Sequence, residues 1–208
     1  MGHRLPRCHP LLTARLTWIR SPGLALPSIP VLPLSAGAFA PYGAVLGAAS
    51  VADFDYRGPL SDFRHEHAFE TATIADAGGR TDILGVLYRD PGPDVRRMEM
   101  HRLTEQAVVP LTQDIVQAVA LGMRDDGERP DAATLAAFRI PVGSGICMKP
   151  GCFHASFAPW GAARCLMVSR LSTTRDLAAH LSRGTPLAET RIVALDPDSG
   201  LAPHRLAL

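Results

Sequence analysis

Ile83-Leu84-Gly85-Val86-Leu87-Tyr88, Arg97-Met98-Glu99-Met100-His101, Ala107-Val108-Val109 and Ile115-Val116-Gln117-Ala118-Val119-Ala120-Leu121 follow one another along the middle of the chain. Each run is short and either β-branched or alternating, which is the signature of strands. Gly145 to Met148 and Leu166 to Ser169 continue the series. Turn chemistry separates the runs: Asp90-Pro91-Gly92-Pro93, the polar stretch Asp125 to Pro130, Pro141 to Gly145, and Pro150-Gly151. Many short strands at this spacing predict a mainly β chain, an antiparallel sandwich or barrel and not a parallel α/β sheet. A single helix is expected near 173–183. Ser172-Thr173-Thr174 offers an N-cap, Asp176 suits a positive first turn, and Gly184 is placed to stop it.

Composition limits what such a chain can do. Of 208 residues, 47% are hydrophobic and 20% charged, with a formal net charge of +1. That balance argues for a globular protein, and against one that binds nucleic acid through a basic surface. The longest apolar stretches fall far short of the roughly 20 residues a bilayer span needs, so no membrane role is expected. The four cysteines (Cys8, Cys147, Cys152 and Cys165) are scattered and contain no CxxC pair, which points to a reducing, cytoplasmic setting. Twenty of the 21 basic residues are arginine, and the one lysine is Lys149. Arg4, Arg7, Arg15 and Arg20 precede the first acidic residue, Asp53, and repeated prolines break any long amphipathic helix there. Residues 1–28 therefore read as a disordered or misassigned N-terminal extension, and 29–208 as a single domain.

Three places carry residues suited to chemistry. Alternation puts Glu99 and His101 on one strand face, and Glu105 follows four residues after His101. Pro150-Gly151-Cys152-Phe153-His154 delivers a histidine just after a tight turn. Arg64-His65-Glu66-His67 with Glu70 also holds a His-x-His, and such clusters are more often a solvated edge than a site. The spacing of Cys147, Cys152 and His154 does not suit structural zinc, and both thiols read as small core residues. Asp196 to Gly200 reads as a turn, and Phe54, Tyr56, Phe63 and Phe69 as packing residues.

His101-x3-Glu105 followed by Pro150-Gly151-x2-His154 resembles the two signature motifs of cupins, with Glu99 where the first histidine would stand. A closer resemblance is to the ureidoglycolate lyase family. It rests on Ile29 to Gly43 with its Phe39-Ala40-Pro41-Tyr42-Gly43 turn, on Glu99 to Leu111, and on Gly145 to His154. Met100, Arg102, Glu105, Met148 and Phe153 depart from the family pattern, which marks a divergent member. The resemblance implies a cupin-like double-stranded β-helix, a jelly-roll barrel with a short C-terminal helix. It further implies a carbon–nitrogen lyase that converts ureidoglycolate, or a similar ureido or 2-hydroxy acid, to glyoxylate and urea in allantoin degradation and purine catabolism. Partners would be a small carboxylate substrate and a second copy of the chain in a homodimer.

Removing a hydroxyl proton while protonating a departing nitrogen needs a base and an acid facing one carbon. Glu99, His101 and His154 are the candidate catalytic residues, and Lys149, Glu105 and Gln106 the candidate substrate contacts. Lys149 reads equally well as an exposed turn lysine. No cofactor is required for this chemistry, yet His101, Glu105 and His154 together form a common divalent-metal set. A metal-dependent cupin oxygenase or isomerase, or a non-catalytic small-molecule-binding cupin, are the alternative readings.

Overall fold

A computed structural model describes residues 26–47, 79–89, 92–197 and 201–208, together with parts of 55–69. The leader expected at 1–28 falls almost wholly outside the described residues, as do Phe54, Arg64 and Glu70. In chain order the elements are β1 (Ser28–Pro33), α1 (Ala36–Phe39), β2 (Gly43–Leu46), β3 (Tyr56–Arg57), β4 (Asp62–Phe63), β5 (Thr81–Tyr88), β6 (Asp94–Val95), β7 (Arg97–His101), β8 (Gln106–Pro110) and β9 (Ile115–Ala120). They continue with β10 (Ala136–Ile140), β11 (Gly145–Met148), β12 (Phe153–Phe157), β13 (Ala163–Arg170), α2 (Leu171–Arg183), β14 (Thr190–Ala194) and β15 (His204–Ala207).

Two sheets carry the fold. The larger runs β14-β7-β12-β9-β10-β1-β15-β6, and the smaller β2-β11-β8-β13-β5. Most pairs are antiparallel; β1 is the exception, running parallel to β15 through its first half and to β10 through its second. Val119 and Phe138 from the larger sheet share one apolar cluster with Val108, Ile146, Met148 and Cys165 from the smaller, so the sheets pack face to face. The result is a mainly β, cupin-like barrel; its helix is not C-terminal as expected but lies between β13 and β14, because β14 and β15 return to pair with β7 and β1 in the larger sheet.

The larger sheet is buried on both faces at its centre, where every residue of β9 is buried, while β1, β14 and β15 are partly exposed. Ile115 and Val119 belong to the interior cluster, whereas Val116, Ala118 and Ala120 join Met98, Met100 and Phe153 in a second cluster. Ile29, Val95 and Leu206, from the β1/β15/β6 end of the same sheet, extend that second cluster together with Leu201. This explains why β9 reads as a continuous apolar run interrupted only by Gln117 and not as an alternating one.

The helix forms where expected but begins differently. Arg170 occupies the N-cap with no side-chain bond, and Asp176 lies beyond the first turn. Ser172 and Thr173 hydroxyls donate instead to Glu189 Oε2, and the Asp176 carboxylate accepts the backbone N–H groups of Ala188, Glu189 and Thr190. These groups tie the incoming β14 segment to the helix, a role that outcompetes local capping. Gly184 ends the helix in the left-handed region at φ 69°, as its sequence position predicts.

The turn at Gly43 has no room for a side chain, because a Cβ there would meet the Cys147 carbonyl oxygen at 1.9 Å. Gly43→Ala must push β2 off β11. We expect a loss of roughly 2 kcal/mol or more in chemical denaturation, well above the few tenths of an ordinary surface change.

Candidate active site

The polar end of the barrel is assembled by register. β12 runs antiparallel to β7 with His154 opposite Glu99, and β14 flanks β7 on its other side with Thr190 opposite His101. Alternation then turns Glu99, His101, His154 and Thr190 to one face of the sheet. His101 and His154 are each 3% exposed, their rings 5.2 Å apart.

Each histidine has a defined hydrogen-bond arrangement. The Gln106 amide nitrogen lies 2.9 Å from His101 Nε2 and can only donate, so Nε2 accepts. The ring proton of His101 then sits on Nδ1 and is donated to Thr190 Oγ1 at 3.1 Å. His154 donates Nδ1–H to the Cys152 carbonyl at 3.0 Å, which leaves Nε2 as the nitrogen able to take up or give a proton. That buried nitrogen lies 3.5 Å from Glu99 Oε1 and has no hydrogen-bond partner among the described residues.

The electrostatics set the protonation states. Burial, reinforced by the neighbouring His154, pushes His101 down to about 4, so it is neutral at pH 7. Burial alone would raise the Glu99 carboxyl, but His154, then His101 and Arg97, outweigh it and hold Glu99 below the usual carboxylate range. The Glu99 side chain is 34% exposed, toward an open cavity of about 480 Å³ that it lines with His154, Arg97, Tyr88, Ser156 and Ile192. Burial lifts the Tyr88 hydroxyl to about 12, keeping it a neutral donor. Ser156 donates to Gln117 Oε1 at 2.9 Å.

The structure brings some of the expected residues together and separates others. Glu99 and His154 line the cavity; His101 backs them, and Gln106 holds His101. Glu105 does not join them, so His101, Glu105 and His154 are not one ligand set. Residues 102–105 leave the strand between β7 and β8, breaking the alternation that a His-x3-Glu reading assumes. Gln106, one residue later, is what reaches His101, while Glu105 contacts His67 at 2.9 Å. The ligand atoms that do converge, all within 4.8 Å, come from Glu99, His101 and His154, a nitrogen-rich set that suits a divalent ion. Lys149 is not in the cavity lining: its Nζ donates to the Ala40 and Pro41 carbonyls at 2.9 and 3.4 Å. Cys147, Cys152 and Cys165 are buried and unpaired by disulfide.

Arg97, Tyr88 and Ser156 line the cavity and Thr190 contacts His101, placements that the motifs do not reveal. Arg97 had a signal, since it stands two residues before Glu99 and so shares its face. Thr190 had none; its contact with His101 crosses 89 residues.

Two facing β sheets thus set an open cavity beside a pair of buried imidazoles. A family model for ureidoglycolate lyase matches residues 26–185, and the chain belongs to the ureidoglycolate lyase family, an enzyme family. A protein of Agrobacterium fabrum (strain C58) that carries ureidoglycolate lyase as a provisional name is 28% identical over 130 residues, 61% of this chain and 72% of that protein. Among solved structures, dTDP-4-dehydrorhamnose 3,5-epimerase from Elizabethkingia anophelis NUHP1 gives a TM-score of 0.29 at 12% identity, over 45% of this chain and 49% of that one. Bacillus subtilis oxalate decarboxylase, studied for its Mn(II) centers, gives 0.30 at 11% identity, over 70% and 46%. The chain spans about half the length of either structure, and likeness at that level carries no argument here.

The depressed His101 predicts a pH dependence of stability. Its folded value of about 4 lies below the unfolded value of about 6.5, so the unfolded chain binds the proton first as pH falls. The stabilisation is fully present above pH 6.5 and is lost as pH drops toward 4. Thermal melts across that window should show a decline of order 2 kcal/mol that flattens in His101→Gln.

Proposed function

We propose that this chain cleaves ureidoglycolate to glyoxylate and urea, with His154 carrying the proton. The observation that supports this reading best, beside the family, is the buried Nε2 of the cavity-lining His154, 3.5 Å from the carboxylate of Glu99, which is held below the usual range. In the proposed step Nε2 removes the proton of the substrate hydroxyl. The O–H electron pair becomes the second bond of the new aldehyde C=O, and the C–N bond breaks with its pair going to the ureido nitrogen. The resulting imidazolium, stabilised by the Glu99 carboxylate, returns the same proton to that nitrogen and releases urea. Neutral His101 packs beside the working ring and adds no second positive charge next to it.

The substrate carboxylate needs a cation, and Arg97 suits it better than Lys149. Arg97 lines the cavity beside Glu99 and makes no ion pair among the described residues, whereas the Lys149 ammonium is occupied by two carbonyls. A guanidinium also matches a carboxylate in two parallel hydrogen bonds. A second reading, a divalent ion held by Glu99, His101 and His154, is favoured by the closeness of their ligand atoms. Such an ion would polarise the substrate's oxygens; His101 would ligate it through Nε2 by giving up the Gln106 contact, with Thr190 still holding Nδ1.

Glyoxylate release by purified protein tests both the reaction and the roles. His154→Ala should lower kcat by about 10²-fold or more. Arg97→Ala should raise KM by at least about tenfold with kcat less affected, and Lys149→Ala should leave KM within about twofold. No glyoxylate above the spontaneous rate rejects the lyase reading. Activity that survives exhaustive chelation rejects the metal-assisted one.

A cytoplasmic homodimer in purine-ureide breakdown completes the proposal. Among the described residues no helix is long and apolar enough to cross a membrane. The outward side of β5 and β13 exposes Ile83 (68%), Leu87 (44%) and Leu166 (39%), an apolar row suited to self-association. Light scattering should give twice the 22.2 kDa chain mass, and Ile83→Arg should halve it.

A further inference from the structure

A second group of donors converges on the other face of the smaller sheet, apart from the cavity. Gln106 pairs with Met148 and Ala107 with Cys147 across β8 and β11. Met148, Ile146 and Val108 fill the barrel interior, so Cys147 points outward from it. Glu105, displaced from the His101 cluster by the 102–105 turn, shares that outward face. His67, from the 65–69 segment, closes over both.

His67 Nε2 lies 2.9 Å from Glu105 Oε2, and the imidazole, carboxylate and thiol ligand atoms all fall within 4.8 Å of one another. Two of the three are set in the sheet, with Cys147 1% and Glu105 8% exposed. The third reaches in from a covering segment held by hydrogen bonds from backbone N–H groups to carboxylates, the Gly47 N–H to Glu66 Oε2 at 2.7 Å and the His65 N–H to Asp55 Oδ2 at 2.8 Å. The His67 side chain keeps 27% exposure, which leaves a side of the group open to solvent.

We propose that His67, Glu105 and Cys147 form a zinc site, with water in the fourth position. One nitrogen, one oxygen and one sulfur donor are the ligand types zinc accepts together, whereas magnesium and calcium demand oxygen alone. Three protein ligands and an open position are the pattern of an accessible zinc. In the absence of metal the same groups form a hydrogen-bonded triad, with the carboxylate accepting from the thiol. The site does not depend on the lyase reading, and it uses none of the residues that line the cavity.

Metal binding by the full-length, chelator-stripped protein separates the two states. Cobalt(II), used as a spectroscopic stand-in for zinc, should produce the intense near-ultraviolet thiolate-to-cobalt charge-transfer band of a sulfur ligand and be displaced by zinc at one equivalent. The band should vanish in Cys147→Ser. In His67→Ala, whose side chain is outside the core, zinc affinity should fall at least about tenfold. Glu99→Gln should leave band and stoichiometry unchanged. Absence of the band in the parent protein overturns the site. So does a band that persists in Cys147→Ser, or zinc binding that is lost in Glu99→Gln and kept in both other variants.

Discussion

The antiparallel register of β12 against β7 is the constraint on which the site depends. It sets His154 opposite Glu99, and the pairing of β14 on the far side of β7 sets Thr190 opposite His101. Two imidazoles are thereby buried side by side, where at most one can comfortably carry charge. Gln106 and Thr190 resolve the conflict by holding His101 neutral, with both of its ring nitrogens engaged. His154 is left with one engaged nitrogen and one free, beside an ionised carboxylate. Slipping either strand by a single residue would turn these side chains into the opposite apolar cluster.

Burial on both faces makes that register hard to escape. The interior cluster fills the space between the sheets, and the second cluster covers the back of the larger sheet, with Met98, Met100 and Phe153 between the site residues along β7 and β12. The polar groups gather where β7, β12 and β14 meet. The closing β14 segment lies beyond residue 185, where the family match ends. Asp176 clamps it to α2 through three backbone N–H groups, so helix, segment and site wall are one construction.

Much of the strand framework was legible in sequence, because alternation and turn chemistry are local. β7 and β11 stand at the expected residues, and β5, β8 and β9 within two residues of them. β10, β14 and β15 were not read as strands: Ala136–Ile140 is short and carries Arg139, and the other two lie among polar and proline-rich sequence. The reading of Glu105 as a partner of His101 assumed that spacing survives a turn, and the 102–105 turn breaks it. Lys149 was singled out by its rarity, which carries no information about direction; two backbone carbonyls decide where it points.

By itself the sequence determined the β class, the helix and its glycine stop, and the short list of residues able to move a proton. Those follow from periodicity, backbone allowance and side-chain chemistry, all properties of a few neighbouring residues. Only the tertiary structure decided which of them meet: that Gln106 and not Glu105 serves His101, that Thr190 arrives from 89 residues away, that Arg97 faces the cavity, and that Glu105 belongs with His67 and Cys147. Strand order and register across a sheet are set by packing of the whole, and no local pattern encodes them.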